Sequence, residues 1–168
     1  MKKIFKTLVV AATLATSLTA NAQDQEIRLF SHRGGRLEHD ENTMYAFKKS
    51  YEAGYRGYET DNSLDRCTNA TGPIEALTMK QVEAIKTKQG NPICTLDEFL
   101  DFFKDKHNDD LYIEFEIKTN EKLYTQERLE ELCDKLYKEV TSKKPEGAVY
   151  LFTSGDYRAL RYLQQKYK

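Results

Sequence analysis

The chain has 168 residues, with 26 basic and 27 acidic side chains and a formal net charge of −1. This balance argues against a nucleic-acid or anionic-membrane partner, because either partner favours a basic excess. A chain of this length can bury one ordinary core and form one domain. It contains no internal repeat and no low-complexity stretch that would divide it further.

Residues 1–22 are expected to be a secretion signal that is not part of the fold. Three lysines among the first six residues precede a short apolar run at 8–18, and Ala20-Asn21-Ala22 is a small-x-small cleavage site. A membrane anchor is the alternative, but the run is too short to span a bilayer unaided. The sequence therefore predicts export to a bacterial periplasm or exterior. The mature domain, 23–168, has a formal charge of −4, because the signal removes three lysines and no acid.

The remaining sequence alternates strand and helix patterns, which favours an α/β fold with a parallel sheet. In chain order we predict a strand at 27–31, a helix at 43–53, a strand at 57–60, a turn-rich stretch at 62–74, a short helix at 78–86, a helix that begins at Thr95, a strand at 111–118, a helix through 129–140, a strand at 148–153 and a last helix at 156–168. This pattern amounts to four or five strand–helix units.

Local sequence signals support several of these elements. Thr95 and Glu98 have the spacing of a capping box, in which each side chain bonds the other's backbone amide. Apolar and polar residues alternate strictly through 111–118, which is the period of a strand. Cys133 lies on the apolar stripe of its helix and is expected to be a small core residue. Pairing of Cys67 with Cys94 is left open by the sequence.

Three pairs of chemistry-bearing residues close three of the predicted strands. Because the carboxyl ends of parallel strands meet at one edge of a sheet, we expect all three pairs to lie at the same rim. The pairs are His32 with Arg33, Glu59 with Asp61, and Glu116 with Lys118.

The carboxylates of these pairs predict a site for a hard divalent cation. Glu59 and Asp61 are two residues apart on an extended segment, so their side chains share a face. Together with Glu116 they give three oxygen ligands suited to Ca²⁺ or Mg²⁺ rather than to zinc. The plainer alternative is a set of solvent-facing acids, which a chain with 32% charged residues supplies freely.

The basic members of the pairs predict acid–base chemistry next to an anion. His32 can exchange a proton near neutral pH, although a lone histidine also serves as a packing or capping residue. Arg33 offers a planar fork for phosphate oxygens and Lys118 a point charge. His39 and His107 lie in polar loop sequences, and only His39 is close enough to the rim to substitute in a catalytic role.

The ordered series of these motifs resembles the glycerophosphodiester phosphodiesterase family, over most of residues 28–118. The matching segments are Ser31-His32-Arg33-Gly34-Gly35, Glu41-Asn42-Thr43, Gly57-Tyr58-Glu59-Thr60-Asp61, Leu64-Asp65-Arg66, Thr95-Leu96-Asp97-Glu98 and Ile113-Glu114-Phe115-Glu116-Ile117-Lys118. The resemblance implies a TIM barrel, incomplete in this chain because a full barrel takes about 250 residues.

The resemblance also implies a reaction, the hydrolysis of glycerophosphodiesters to an alcohol and glycerol 3-phosphate in lipid and glycerol metabolism. A divalent cation, Ca²⁺ or Mg²⁺, would bind Glu59, Asp61 and Glu116. His32 would be one of two acid–base histidines. Arg33 and Lys118 would hold the phosphate of a small-molecule substrate.

The sequence departs from the family pattern in two places. Between Asp61 and Asn62 a strand–turn–strand of roughly fifteen residues is absent, and the second catalytic histidine belongs to that segment. The chain also ends at Lys168, before the last barrel strands. The alternative to an active hydrolase is therefore an impaired protein that still binds a cation or a phosphodiester. Open sheet edges would also favour self-association.

Overall fold

The computed structural model describes residues 28–60, 64–107, 109–119 and 122–168. Its centre is a four-stranded sheet in which β1 (Phe30–His32), β2 (Gly57–Thr60), β3 (Tyr112–Glu116) and β4 (Val149–Thr153) lie in sequence order, all parallel. The helices are α1 (Met44–Glu52), α2 (Leu64–Cys67), α3 (Met79–Glu83), α4 (Leu96–Phe103), α5 (Gln126–Ser142) and α6 (Tyr157–Lys166), with one 3₁₀ turn at Ile74–Ala76.

Side-chain caps set where the helices begin. Thr43 accepts from the amide of Ala46 at 3.2 Å and starts α1. The predicted capping box at Thr95 is confirmed, with both reciprocal bonds to Glu98 present. At α6 the cap is Asp156, whose carboxylate accepts from the amide of Arg158 at 3.1 Å. Each cap satisfies a backbone donor that has no partner inside its helix.

Aromatic side chains fill the space between the sheet and the first helices. Tyr58 from β2 and Phe115 from β3 pack against Phe47 of α1 and against Phe99 and Phe103 of α4. The ring pairs are tilted or edge-on, with centroids 4.7 to 6.5 Å apart, an arrangement that suits the ring quadrupoles. This cluster attaches the helices to one face of the sheet.

The two-residue period of the strands gives the sheet a second, polar face. Tyr58 and Phe115 point toward the helices, so Glu59 and the acids on either side of Phe115 point the opposite way. The parallel register pairs His32 with Glu59, and Glu59 with Glu114. We call the face that carries His32, Glu59, Glu114 and Glu116 the polar face.

The structure corrects two of the predicted elements. The first strand is Phe30–His32 rather than 27–31, so His32 lies within it; residue 27 is outside the described residues. The stretch predicted to be turn-rich contains α2, which begins at the buried Leu64. Burial of that one leucine supports a single helical turn that the local composition does not signal.

The structure also bears on the cysteines and on the signal sequence. Cys133 is fully buried, as expected, and all three cysteines are free, so Cys67 and Cys94 are not joined. The Cys94 thiol instead donates to the sulfur of Met44 at 3.0 Å. The secretion signal at 1–22 lies outside the described residues. Within the described ranges, no helix is both long and apolar enough to cross a bilayer.

β1 and β4 are the outer strands of the described sheet, and each is paired on one side within it. Leu151 of β4 is 40% exposed, and Leu29, next to β1, is 68% exposed. Pairing of β4 with β1 of a second copy would keep every strand parallel. Self-association through these outer strands stays a prediction.

Sedimentation velocity over a range of concentrations tests this pairing. We expect concentration-dependent association of the wild type and a several-fold smaller associated fraction for Leu151→Lys, because a charged outer strand resists pairing. Met79→Lys, an exposed change on α3, is the matched control and is expected to associate like the wild type. A wild type that remains monomeric throughout contradicts the prediction.

Candidate functional site

The carboxyl edge of the sheet brings His32 and Glu59 into direct contact. They are register partners on β1 and β2, and Nε2 of His32 lies 3.4 Å from Oε2 of Glu59. The Glu59 side chain is only 12% exposed, whereas that of His32 is 46% exposed. The imidazole therefore faces solvent and any substrate, while its carboxylate partner is held within the protein.

Arg33 is held at the same edge by its backbone and by its side chain. Its amide donates to the Glu59 carbonyl at 3.0 Å and its carbonyl accepts from the Asn42 amide at 2.9 Å. Its φ of 57° lies in the left-handed region, which costs a non-glycine residue energy. The guanidinium lies 3.3 Å from Oε2 of Glu41. These contacts fix one orientation of a guanidinium that is 10% exposed.

Gly34 is required by the turn that follows Arg33. Its φ is +80°, and a Cβ at this position would lie 2.8 Å from the Cβ of Ala46 on α1. Any larger residue would push the loop away from the helix. Gly34 of the sequence motif therefore serves close packing of this loop against α1.

Glu41 is a residue of the site to which the sequence analysis assigned no role. Its carboxylate contacts Arg33 and also accepts from Nε of Arg66 at 2.8 Å. Burial by itself raises the pKa of Glu41, but the hydrogen bonds from Arg66 and Arg33 outweigh it and lower the pKa below its usual 4.5. One ionised carboxylate thus joins the loop after β1 to α2. Its place in the motif with Asn42 and Thr43 was the available signal, although sequence alone could not name its partners.

Glu116 and Lys118 form the third predicted pair, with Nζ of Lys118 3.2 Å from Oε2 of Glu116. Glu114 is a further acid on the polar face, and it accepts from the hydroxyl of Thr153 at 2.9 Å. The strict alternation of residues 111–118 was the signal that could have identified Glu114. Its bond to Thr153 orients it toward β4.

Glu59 and Glu116 fit a divalent cation as two members of an oxygen set. Both are carboxylates on the polar face, near the carboxyl ends of neighbouring strands, and hard cations prefer such oxygens. Asp61 lies outside the described residues, and no group of three metal-ligating side chains occurs among those that are described. The described part of the chain therefore includes two of the three residues predicted as ligands, and their role as ligands stays a prediction.

The other two histidines lie outside the polar face, although His39 lines a cavity together with His32. The ring of His39 packs edge-on against Tyr45, with centroids 5.8 Å apart. His107 accepts from the Glu146 amide at 3.3 Å, beside the loop that leads into β4. Since the chain has three histidines, His32 is the one that lies next to the carboxylates.

A parallel α/β sheet with its polar residues gathered at the carboxyl edge is the plan of barrel-type α/β enzymes. The glycerophosphoryl diester phosphodiesterase family model matches residues 32–168. The chain belongs to this family. No curated protein sequence matches it.

Solved structures with the TIM-barrel fold resemble this one. A protein of Silicibacter pomeroyi described as a glycerophosphoryl diester phosphodiesterase gives a TM-score of 0.70 at 20% identity, over 83% of this chain and 61% of that one. A phosphodiesterase of Oleispira antarctica, in complex with the product sn-glycerol-3-phosphate, gives 0.69 at 19% identity, over 84% and 62%. A glycerophosphodiester phosphodiesterase of Parabacteroides distasonis gives 0.62 at 17%, over 82% and 60%. The chain thus spans about 60% of these proteins.

The lowered pKa of Glu41 predicts a pH-dependent contribution to stability. Because the folded pKa lies below 4.5, ionised Glu41 stabilises the fold above that pH, and the contribution is lost as the pH falls through the folded pKa. We expect Glu41→Gln to lower the free energy of unfolding by about 1–3 kcal/mol near neutral pH, since it leaves two guanidinium groups without their carboxylate. The difference from the wild type should shrink below about pH 4.5.

Urea unfolding of both proteins at neutral and acidic pH measures this difference. Glu52→Gln, which alters an exposed ion pair with Lys49, is the control and is expected to change stability little. If the free energies of unfolding of the wild type and of Glu41→Gln differ by the same amount at every pH, the pH dependence assigned to Glu41 is wrong.

Proposed function

We propose that this site hydrolyses glycerophosphodiesters to sn-glycerol 3-phosphate and an alcohol, with a divalent cation, Ca²⁺ or Mg²⁺, as cofactor. Family membership supports the reaction class. The product bound to the Oleispira antarctica phosphodiesterase supports the substrate class. The observation that carries the proposal is the contact of the half-exposed His32 with the largely buried side chain of Glu59, next to Arg33 in its ion pair with Glu41.

Arg33 and Lys118 are proposed to bind the phosphate of the diester. Arg33 presents a planar group whose orientation is set by Glu41 and by its backbone bonds, and such a group suits phosphate oxygens. Lys118 follows β3, two strands away from β1 in the sheet, and adds a compact positive charge there. Held between β1 and β3, the phosphate would lie over the polar face.

His32 is proposed to carry a proton at Nε2 during the reaction. Its exposure leaves it accessible to a substrate oxygen, and a carboxylate oxygen of Glu59 lies 3.4 Å from this nitrogen. The carboxylates Glu59, Asp61 and Glu116 are proposed to hold the cation. When bound, such a cation polarises a phosphoryl oxygen and makes a coordinated hydroxyl more acidic.

A second candidate function is binding of the cation and the diester with little or no turnover. The observation that favours it is that His32 is the one of the three histidines on the polar face, since the ring of His39 packs against Tyr45 in the loop after β1 and His107 accepts from the Glu146 amide. General acid–base assistance is worth about 10²–10⁴-fold. A site with one such group would therefore lose more in turnover than in binding.

Export to the periplasm or the exterior is proposed as the setting of either function. Its support is the leader pattern of 1–22, with its basic start and its Ala20-Asn21-Ala22 cleavage motif. Amino-terminal sequencing of the protein exported by a bacterial host is expected to begin at Gln23. Recovery of uncleaved protein from the cytoplasm would contradict it.

Cation binding and product release together test the proposed function. For the wild type with Ca²⁺ or Mg²⁺, we expect calorimetric cation binding and release of sn-glycerol 3-phosphate from glycerophosphoethanolamine. Glu59→Gln should weaken cation binding at least about 10-fold, because loss even of an outer-shell partner costs that much. Glu52→Gln, an exposed acid on α1, is the control and should leave both signals unchanged.

The outcomes separate the two candidates. Cation-dependent release of the product, lost in Glu59→Gln, supports the hydrolase. Cation-dependent binding of the diester without release supports the binding protein. A wild type that binds neither cation nor diester contradicts both.

A further inference from the structure

A cavity of about 340 Å³ lies beside the candidate site, between the loop after β1 and the segment after β2. Both segments follow the carboxyl ends of their strands, so the cavity is at the same edge of the sheet as His32. We call it the basic pocket. Its charged lining residues are Arg36, Asp40, Glu41, Arg66 and Lys88, and His39 also lines it.

Asp40 ties the two walls of the basic pocket together. Its carboxylate accepts from the hydroxyl of Thr87 at 2.5 Å and from the side-chain amide of Asn91 at 2.8 Å. The Lys88 amide donates to the carbonyl of Cys67 at 2.9 Å, which fastens the same turn to the end of α2. The two bonds of Asp40 connect residues 47 and 51 positions apart in the chain. The pocket is therefore built into the fold.

The charges of the basic pocket are arranged in favour of an anion. Asp40 is bonded to Thr87 and Asn91, and Glu41 to two arginines. The exposed side chains of Arg36 and Lys88 also line the cavity, and neither forms an ion pair with a carboxylate in the described part of the chain. Three cations and two acids thus line the cavity, and both acids are engaged in bonds within its walls, whereas Arg36 and Lys88 extend from exposed positions.

Glu41 links this pocket to the phosphate-binding side of the candidate site. The same carboxylate contacts Arg33 at 3.3 Å and Arg66 at 2.8 Å. Arg66 lines the basic pocket, and Arg33 belongs to the proposed phosphate site. Arg33 and Arg66 thus contact one carboxylate, so the proposed phosphate site and the basic pocket adjoin each other.

We propose that the basic pocket receives the alcohol moiety of the diester and selects alcohols that carry a carboxylate. This inference rests on the proposed function, because it assumes that the phosphate lies at Arg33. Arg36 and Lys88, together with Arg66, supply the attraction for the carboxylate, and the cavity is large enough for a group the size of serine. A neutral or purely cationic alcohol gains nothing from these charges.

Two diesters that differ by one carboxylate test the proposal. Glycerophosphoserine has the skeleton and ammonium group of glycerophosphoethanolamine and adds a carboxylate. With saturating divalent cation, we expect the wild type to favour the serine diester about three- to fivefold, the range that exposed charge pairs supply. The ratio is taken from kcat/KM where the diesters are hydrolysed and from Kd where they are only bound.

Charge-neutral variants of the pocket are expected to abolish this preference. In the double variant Arg36→Gln with Lys88→Gln, the ratio of the serine diester to the ethanolamine diester should fall to about one. Added salt should also bring the ratio of the wild type closer to one, because it screens exposed charges. Lys135→Gln, which removes an exposed charge from α5, is the matched control and should keep the ratio. The folded state of each variant is checked by its thermal unfolding.

Each outcome decides the proposal. Equal values for the two diesters in the wild type overturn the basic pocket as a selector and leave the proposed function standing. If the preference for the serine diester persists in the double variant, the carboxylate of the ligand binds elsewhere, and the basic pocket is again ruled out as the selector. Failure of the wild type to bind either diester overturns the proposed function, and this inference falls with it.

Discussion

The parallel register of β1, β2 and β3 is the constraint on which the site depends. It puts His32, Glu59 and Glu114 side by side on one face, while the residues between them enter the aromatic core on the other. A slip of one residue would exchange the two faces, burying carboxylates among the rings and exposing Tyr58 to water. The apolar burial that stabilises the sheet therefore also selects the register that assembles the polar face.

Most of the architecture could be predicted because its signals are local. The capping box at Thr95, the alternation through 111–118 and the apolar stripe around Cys133 each involve residues that are close in sequence. The helix at Leu64–Cys67 escaped prediction because its stability comes from burial of one leucine in a polar segment. Propensity gives little information on so short a helix, since a single turn is not stable by itself.

The candidate site could be predicted in its residue types but only partly in its contacts. Strands that alternate with helices run parallel, and the carboxyl ends of parallel strands meet at one edge of the sheet. This rule was sufficient to place His32, Glu59 and Glu116 on the same edge. The bond between Glu41 and Arg66 joins residues 25 apart, and no periodicity relates them. Sequence patterns report which face a residue lies on, whereas the partner of a long polar side chain depends on how loops meet in space.

Electrostatics gives the rim two sides of opposite character. Arg33 and Arg66 share the single carboxylate of Glu41, so this trio carries one net positive charge. The acids of β2 and β3 concentrate negative charge on the polar face next to it. A phosphodiester anion and a divalent cation would each be drawn to a different side and would then attract one another. Glu41 supports this separation, because its carboxylate attracts the guanidinium groups of Arg33 and Arg66 at 3.3 and 2.8 Å.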